Sequence, residues 1–170
     1  MEADRFPPDF NSGIGIMNKE LYFKSIDEIL NFAIEKEQEA SDFYQEWSQK
    51  AKDKQITEMF SQFAQEEQGH KRKLQNVQKT GGLPNASRAT KNLKISDYMV
   101  EVDPKKKMGL QDAIILAMQR EKKAFQLYSD MEELTDDQEI QQLFEFLANE
   151  EAKHKLRFEV QYDEIILTDN

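Results

Sequence analysis

The chain has 170 residues, enough for one domain with a real core, and a formal net charge of −10. That acidity argues against a nucleic-acid partner, and the lack of any cysteine excludes disulfides, thiol chemistry, thiolate-bound zinc and an iron–sulfur or rubredoxin-type centre within the chain. No apolar run approaches the ~18 residues of a membrane span, and the N-terminus has no hydrophobic signal core, so a soluble cytoplasmic protein with no membrane partner is expected. Although 33% of the residues are charged, the 38% that are hydrophobic suffice for helices with one buried stripe, so acidity here does not mean disorder.

Residues 1–24 contain Pro7, Pro8, Gly13 and Gly15 and no helical period, which predicts an extended arm. Ser25 followed by Glu28 is a capping box, and from there Ile26, Ile29, Leu30, Ala33, Ile34, Ala40, Phe43, Tyr44 and Trp47 recur at helical spacing. Asp53 can cap a second helix carrying Ile56, Met59, Phe60, Phe63, Leu74 and Val77, which Gly81, Gly82 and Pro84 end. Residues 80–109 form a connector with a helical turn expected around Ile95–Val100 and a solvated run at Lys105, Lys106 and Lys107. Its length predicts that it crosses the full length of a bundle. A third helix is expected from Leu110 to about Leu134, and Thr135 with Gln138 reads as a capping box opening a fourth through about Tyr162. Residues 164–170 are left as a tail, with Ile165, Ile166 and Leu167 covering a bundle end or meeting another subunit.

The hairpins 26–79 and 110–162 align at an offset of 84 residues, pairing Phe60 with Phe144, Ala64 with Ala148, Glu66-Glu67 with Glu150-Glu151 and His70 with His154. The expected fold is an all-α four-helix bundle over residues 25–163, built from two duplicated hairpins with a long middle crossover.

The chain has only two histidines, and both close a Glu-x-x-His step: Glu67 to His70 and Glu151 to His154. Thirty residues before each second-helix glutamate stands another, Glu37 and Glu121, followed by Ala40 and Tyr44 in one copy and Ala124 and Tyr128 in the other. All six Glu and His positions fall within the apolar stripes of their helices. A buried carboxylate must be paired, protonated or bound to a metal, and four meeting in one core require cations. Residues three apart share a helix face, so each Glu-x-x-His aims a carboxylate and an imidazole at one point. The set predicts two divalent ions bridged by Glu67 and Glu151, with Glu37 and Glu121 on one ion each and one nitrogen apiece from His70 and His154. Tyr44 and Tyr128 are placed to hydrogen-bond ligand carboxylates. Oxygen and nitrogen donors without thiolate suit iron or manganese, and zinc fits them too.

A single Glu-x-x-His is more often an ion pair than a ligand pair; the matched duplication reverses that balance. Glu35, Glu39, Glu66 and Glu150 turn about 100° or more from the ligand direction and read as solvated, with Glu66 and Glu150 flanking an access path as the functional alternative. Trp47, Met59 and Met118 read as core.

The stretches Glu37-Gln-Glu-Ala-Ser-Asp-Phe-Tyr44 with Glu66-Glu-Gln-Gly-His70, and Glu121-Lys-Lys-Ala-Phe-Gln-Leu-Tyr128 with Glu150-Glu-Ala-Lys-His154, resemble the ferritin-like diiron domain of the rubrerythrin family, over residues 26–162. The resemblance implies a diiron oxidoreductase with two iron ions per site that reduces hydrogen peroxide or dioxygen in oxidative-stress defence. With no rubredoxin-type centre in this chain, the electrons would come from an external donor. Rubrerythrins carry a further glutamate ligand three residues after the third-helix glutamate, and Ala124 stands there instead. The alternatives are a ferroxidase or iron-handling protein, a small diiron hydroxylase, and a metal-stabilised structural bundle without turnover. A homodimer is expected, with helix exchange between subunits as one arrangement.

Overall fold

A computed structural model describes residues 21–81 and 93–168 of the chain. Four long helices form the bundle: α1 (Ile26–Lys50), α2 (Lys54–Lys79), α3 (Leu110–Glu132) and α4 (Gln138–Thr168). A short 3-10 helix, Ile95–Tyr98, lies in the connector between α2 and α3, where the helical turn is expected.

The helix ends follow from local side chains. Ser25 Oγ accepts the Glu28 N–H at 3.1 Å, while the Glu28 carboxylate reaches back to the Lys24 N–H at 2.6 Å, one residue beyond the usual capping-box partner. Asp53 Oδ1 accepts the Ile56 N–H at 3.0 Å and opens α2. Gly81, at a φ of 105°, turns the chain away after α2, a conformation side-chain-bearing residues rarely adopt.

The fourth helix departs from the expectation at both ends. Its cap is Asp137, whose Oδ1 accepts the N–H groups of Glu139 and Ile140 at 2.9 and 3.3 Å. Thr135 stands two residues too early and instead braces Asp137, its Oγ1 accepting the Asp137 N–H at 3.1 Å. At the far end α4 runs to Thr168, past Tyr162 and through most of the expected tail. Phe158, Tyr162 and Ile165 continue one helical stripe onto the core, and no glycine or proline interrupts it.

Short loops make α1 and α2, and α3 and α4, antiparallel partners; α1 meets α3 and α2 meets α4 between the hairpins. One core cluster joins the start of α1 (Ile29, Leu30) to the ends of α2 (Leu74) and α3 (Met131) and the start of α4 (Phe144). The other joins the end of α1 (Tyr44, Trp47) to the starts of α2 (Phe60) and α3 (Ile114) and the later part of α4 (Phe158). The end of α2 and the start of α3 thus lie at opposite ends of the bundle, so the connector has to cover its length, on the order of 35–40 Å for helices of this size. Met59 and Trp47 are core, and Met118 is partly buried against it. No helix among the described residues is long and apolar enough to cross a membrane.

Of the predicted arm, residues 1–20 lie outside the described residues, and Leu21–Lys24 are tied to the connector. Tyr22 bridges Lys94, the Phe23 N–H donates to the Leu93 carbonyl at 3.0 Å, and the Ile95 N–H donates to the Leu21 carbonyl at 2.9 Å. Phe23 is buried, meeting Phe32 edge-on at a ring separation of 5.2 Å and Tyr98 at 6.0 Å. Tyr98 in turn donates to Asp130 on α3 at 2.6 Å. Burial of one phenylalanine therefore clamps the connector across α1 and α3. Replacing it by alanine (Phe23→Ala) should cost about 3–5 kcal/mol and lower the thermal midpoint by roughly 10 °C with helix content kept. Thermal denaturation followed by circular dichroism checks this, and an unchanged midpoint would show the clamp to be energetically idle.

Candidate metal centre

Between the two core clusters, at mid-bundle, the apolar stripes are interrupted by acids and imidazoles. Glu37 of α1, Glu67 and His70 of α2, Glu121 of α3, and Glu151 and His154 of α4 all point inward, none more than 4% exposed. The helical repeat explains the pairing, since Glu67/His70 and Glu151/His154 are each one turn apart on a buried face.

All six residues predicted from sequence converge. His70 Nδ1 lies 2.9 Å from Glu67 and 2.9 Å from Glu151, with Glu37 at 3.7 Å. His154 Nδ1 lies 3.0 Å from Glu67, with Glu121 and Glu151 both at 3.6 Å. The donors fall into two groups, Glu37–Glu67–His70–Glu151 and Glu67–Glu121–Glu151–His154, within each of which one atom per residue lies within 4.8 Å of the others. Glu67 and Glu151 belong to both groups, the position a bridging carboxylate needs.

The tyrosines brace the site crosswise. Tyr44 of α1 donates to Glu121 of α3, and Tyr128 of α3 donates to Glu37 of α1, so each hairpin holds the other's carboxylate. Burial, reinforced by the charge of Glu121 for Tyr44 and of Glu37 for Tyr128, pushes both phenols well above their ordinary range and keeps them donors.

Without a cation the set is electrostatically crowded. Burial, then the charges of Glu151, Glu37 and Glu121, drives Glu67 well above the carboxylate range, and burial together with Glu151 pushes Glu121 up to about 8. Burial and the Glu37 charge push Glu151 the same way, but hydrogen bonds from Glu121, His154 and His70 outweigh them and hold it low. Burial opposes a charge on either imidazole, yet the surrounding carboxylates prevail and raise both His70 and His154 far above the ordinary histidine value. Glu121 Oε2 is buried with no hydrogen-bond partner among the described residues; of the neighbouring carboxyls Glu121 and Glu151, it is Glu121 that holds the proton and donates to Glu151. Four carboxylates, two imidazoles whose Nδ1 atoms face inward and one orphaned oxygen fit two divalent cations, which would cancel the four negative charges.

Glu66 corrects the expectation that it is merely solvated. Its Oε2 accepts from His154 Nε2 at 2.5 Å, across the α2–α4 contact, and its Oε1 accepts from Gln62 at 2.8 Å. Burial works against its charge, but these bonds prevail and hold it below the ordinary carboxylate value. Its counterpart Glu150 turns to Lys153 at 2.9 Å, as a surface acid does.

A cavity of about 70 Å³ opens between α1 and α3 and ends on Glu37, Glu67, Glu121 and Glu151. Ala40 and Ala124 line its wall, Tyr98 and Val100 of the connector lie along it, and Lys36, Arg120 and Lys123 stand around it.

A sequence profile described as Rubrerythrin matches residues 28–162, nearly the whole bundle. The chain belongs to the rubrerythrin family. Among solved structures, a ferritin-like fold is shared with a hypothetical protein from Pyrococcus furiosus at 24% identity and a TM-score of 0.65, over 84% of this chain and 91% of that one. A second, from Thermotoga maritima and provisionally described as a ferritin-like diiron-carboxylate protein, matches at 19% identity and a TM-score of 0.69, over 85% and 97% of the two chains. No curated protein matches. Within the rubrerythrin family, then, this chain presents a symmetric set of four glutamates and two histidines with Ala124 beside it.

Cations and protons compete for these donors. Glu67, Glu121 and both histidines are raised in the folded metal-free protein, so it holds more protons than the unfolded chain and loses stability as pH rises from about 5 to 9. Divalent ions should offset that loss, so the gain in thermal midpoint on adding zinc should grow with pH across this window. Midpoints of metal-free and zinc-loaded protein at several pH values test it; a gain that shrinks with rising pH would contradict the assignment.

Proposed function

We propose that this protein is a non-haem diiron oxidoreductase that reduces hydrogen peroxide or dioxygen with electrons from an external carrier. The observation that carries this reading is the size and end-point of the cavity between α1 and α3. At about 70 Å³ it accommodates a molecule of a few atoms, far short of the roughly 300–1,000 Å³ typical of organic-ligand pockets, and it leads to the ligand carboxylates themselves. That argues against the hydroxylase alternative.

Glu37 and His70 would hold one ion, Glu121 and His154 the other, and Glu67 and Glu151 would bridge them. Two iron ions in that position supply the paired electrons that an O–O bond accepts on cleavage. For peroxide the balance is two electrons from the carrier and two protons from solvent for each two waters released. The chain's own part is to hold and exclude. Tyr44 and Tyr128 fix Glu121 and Glu37 against rotation, the two core clusters keep bulk water from the ends of the bundle, and Ala40 and Ala124 leave room beside the carboxylates. Ala124 has no donor atom, so a ligand exchange at that position would have no counterpart in this chain.

Anaerobic loading with ferrous iron should give two ions per chain, and the loaded protein should consume peroxide when a reductant is supplied. Removing a bridging carboxylate (Glu67→Ala) should lower metal content and slow consumption by at least about 100-fold. Iron-loaded protein that is inert to both peroxide and dioxygen would overturn the redox reading and leave a metal-stabilised bundle.

A further inference from the structure

The two halves of the site are related by the 84-residue offset, yet the groups behind the two histidines differ. Both rings turn Nδ1 inward and Nε2 outward. Behind His154, Nε2 donates to Glu66 at 2.5 Å, and Gln62, one turn earlier on α2, holds Glu66 in place at 2.8 Å. Phe63 stacks on the His154 ring at 4.0 Å. Behind His70 that chain of bonds is missing. The position equivalent to Gln62 is Phe146, which can donate nothing and instead meets His70 edge-on at 6.4 Å. The equivalent of Glu66, Glu150, bonds to Lys153, and the hydrogen bonds of His70 among the described residues run through Nδ1, to Glu67 and Glu151.

We infer that the two ion positions are unequal, and that Glu66, braced by Gln62, is a positioning residue that makes the His154 position the tighter one and the first to fill. The inference rests on the reading of the six donors as a two-ion site and adds an order of occupation to it. Its physical basis is the outer hydrogen bond. A carboxylate accepting from Nε2 fixes the proton on that nitrogen, leaves Nδ1 as the free lone pair, sets the ring's rotation and raises its basicity toward a metal. Phe63 stacking further restricts the ring. His70 meets Phe146 edge-on and stacks on His154 at 6.0 Å, but it lacks a carboxylate behind Nε2, so its outer nitrogen does not raise the basicity of Nδ1 in the same way. Because Glu67 and Glu151 are shared, an ion in the first position also fixes two of the four donors of the second.

Calorimetric titration of metal-free protein with zinc tests this, with imidazole nitrogen NMR as a second readout. The native chain should bind two ions in two distinguishable steps. Loss of the carboxylate (Glu66→Ala) should weaken the tighter step by roughly 10–100-fold and leave the weaker one nearly unchanged, while Glu150→Ala changes neither. Copying the other half-site with Gln62→Phe should weaken the same step in the same direction. In the spectra, a protected Nε2–H of His154 should be present in native protein, retained in Glu66→Gln and lost in Glu66→Ala. Two ions bound with equal constants, or equal weakening of both steps by Glu66→Ala, would overturn the inference alone. Failure to bind zinc or iron at all would remove it together with the two-ion reading.

Discussion

Four carboxylates buried at the middle of one helical bundle are the constraint on which this structure turns. An isolated buried carboxylate costs several kcal/mol, and four together add mutual repulsion to desolvation. The chain meets this by crossing partners between its halves. Each tyrosine holds the other hairpin's glutamate, and each histidine reaches the other hairpin's Glu-x-x-His carboxylate. The site is therefore also the joint between two hairpins whose helices otherwise pack mainly within each pair. Stability and chemistry are coupled at this joint, because whatever neutralises the carboxylates also holds the hairpins together.

The position of the joint follows from the two apolar clusters on either side of it. They keep the carboxylates in a low-dielectric layer, where a cation is worth most and a proton is held hardest. Access is built on the side where α1 and α3 face each other across Ala40 and Ala124 under the connector. The clamp of Phe23 and Tyr98 sets the connector along that side. The small side chains of Ala40 and Ala124 leave a passage there, at the edges of the two clusters.

The bundle, its duplication and all six donors were legible in the sequence because each rests on a periodic signal. Apolar residues repeat at helical spacing, and the polar exceptions at 37, 67, 70, 121, 151 and 154 repeat at one offset. What escaped depends on contacts between distant segments or on near-equivalent local choices. Glu66 lies about 100° from Glu67 around α2 and looks solvated within its own helix; only the packing of α4, 88 residues on, brings His154 against it. Phe23 sits in a stretch without period, and its burial depends on the connector. Thr135 and Asp137 are both good caps two residues apart, and tertiary placement chose between them. A signal for Glu66 did exist in the aligned copies: Gln62 against Phe146, a hydrogen-bonding residue one turn before one acid and an aromatic before the other.

That contrast bears on how a duplicated site acquires direction. With alanine at both 40 and 124, the inner donors of the two halves are matched residue for residue, and the inner set alone gives neither ion a distinguishing ligand. A glutamate at position 124 would break that symmetry from within, but its side chain would also project from the cavity wall into a space of only about 70 Å³. Keeping alanine preserves the passage and moves any difference between the ions outward, to groups that touch the histidines from behind. Glu66 and Gln62 sit on the α2 side of the bundle, away from the opening between α1 and α3, and can polarise one imidazole without occupying the space an oxidant would use. On the proposed reading, the geometry separates two demands that compete in a small buried site: room for the reacting molecule on one side, and unequal tuning of the ions from the other.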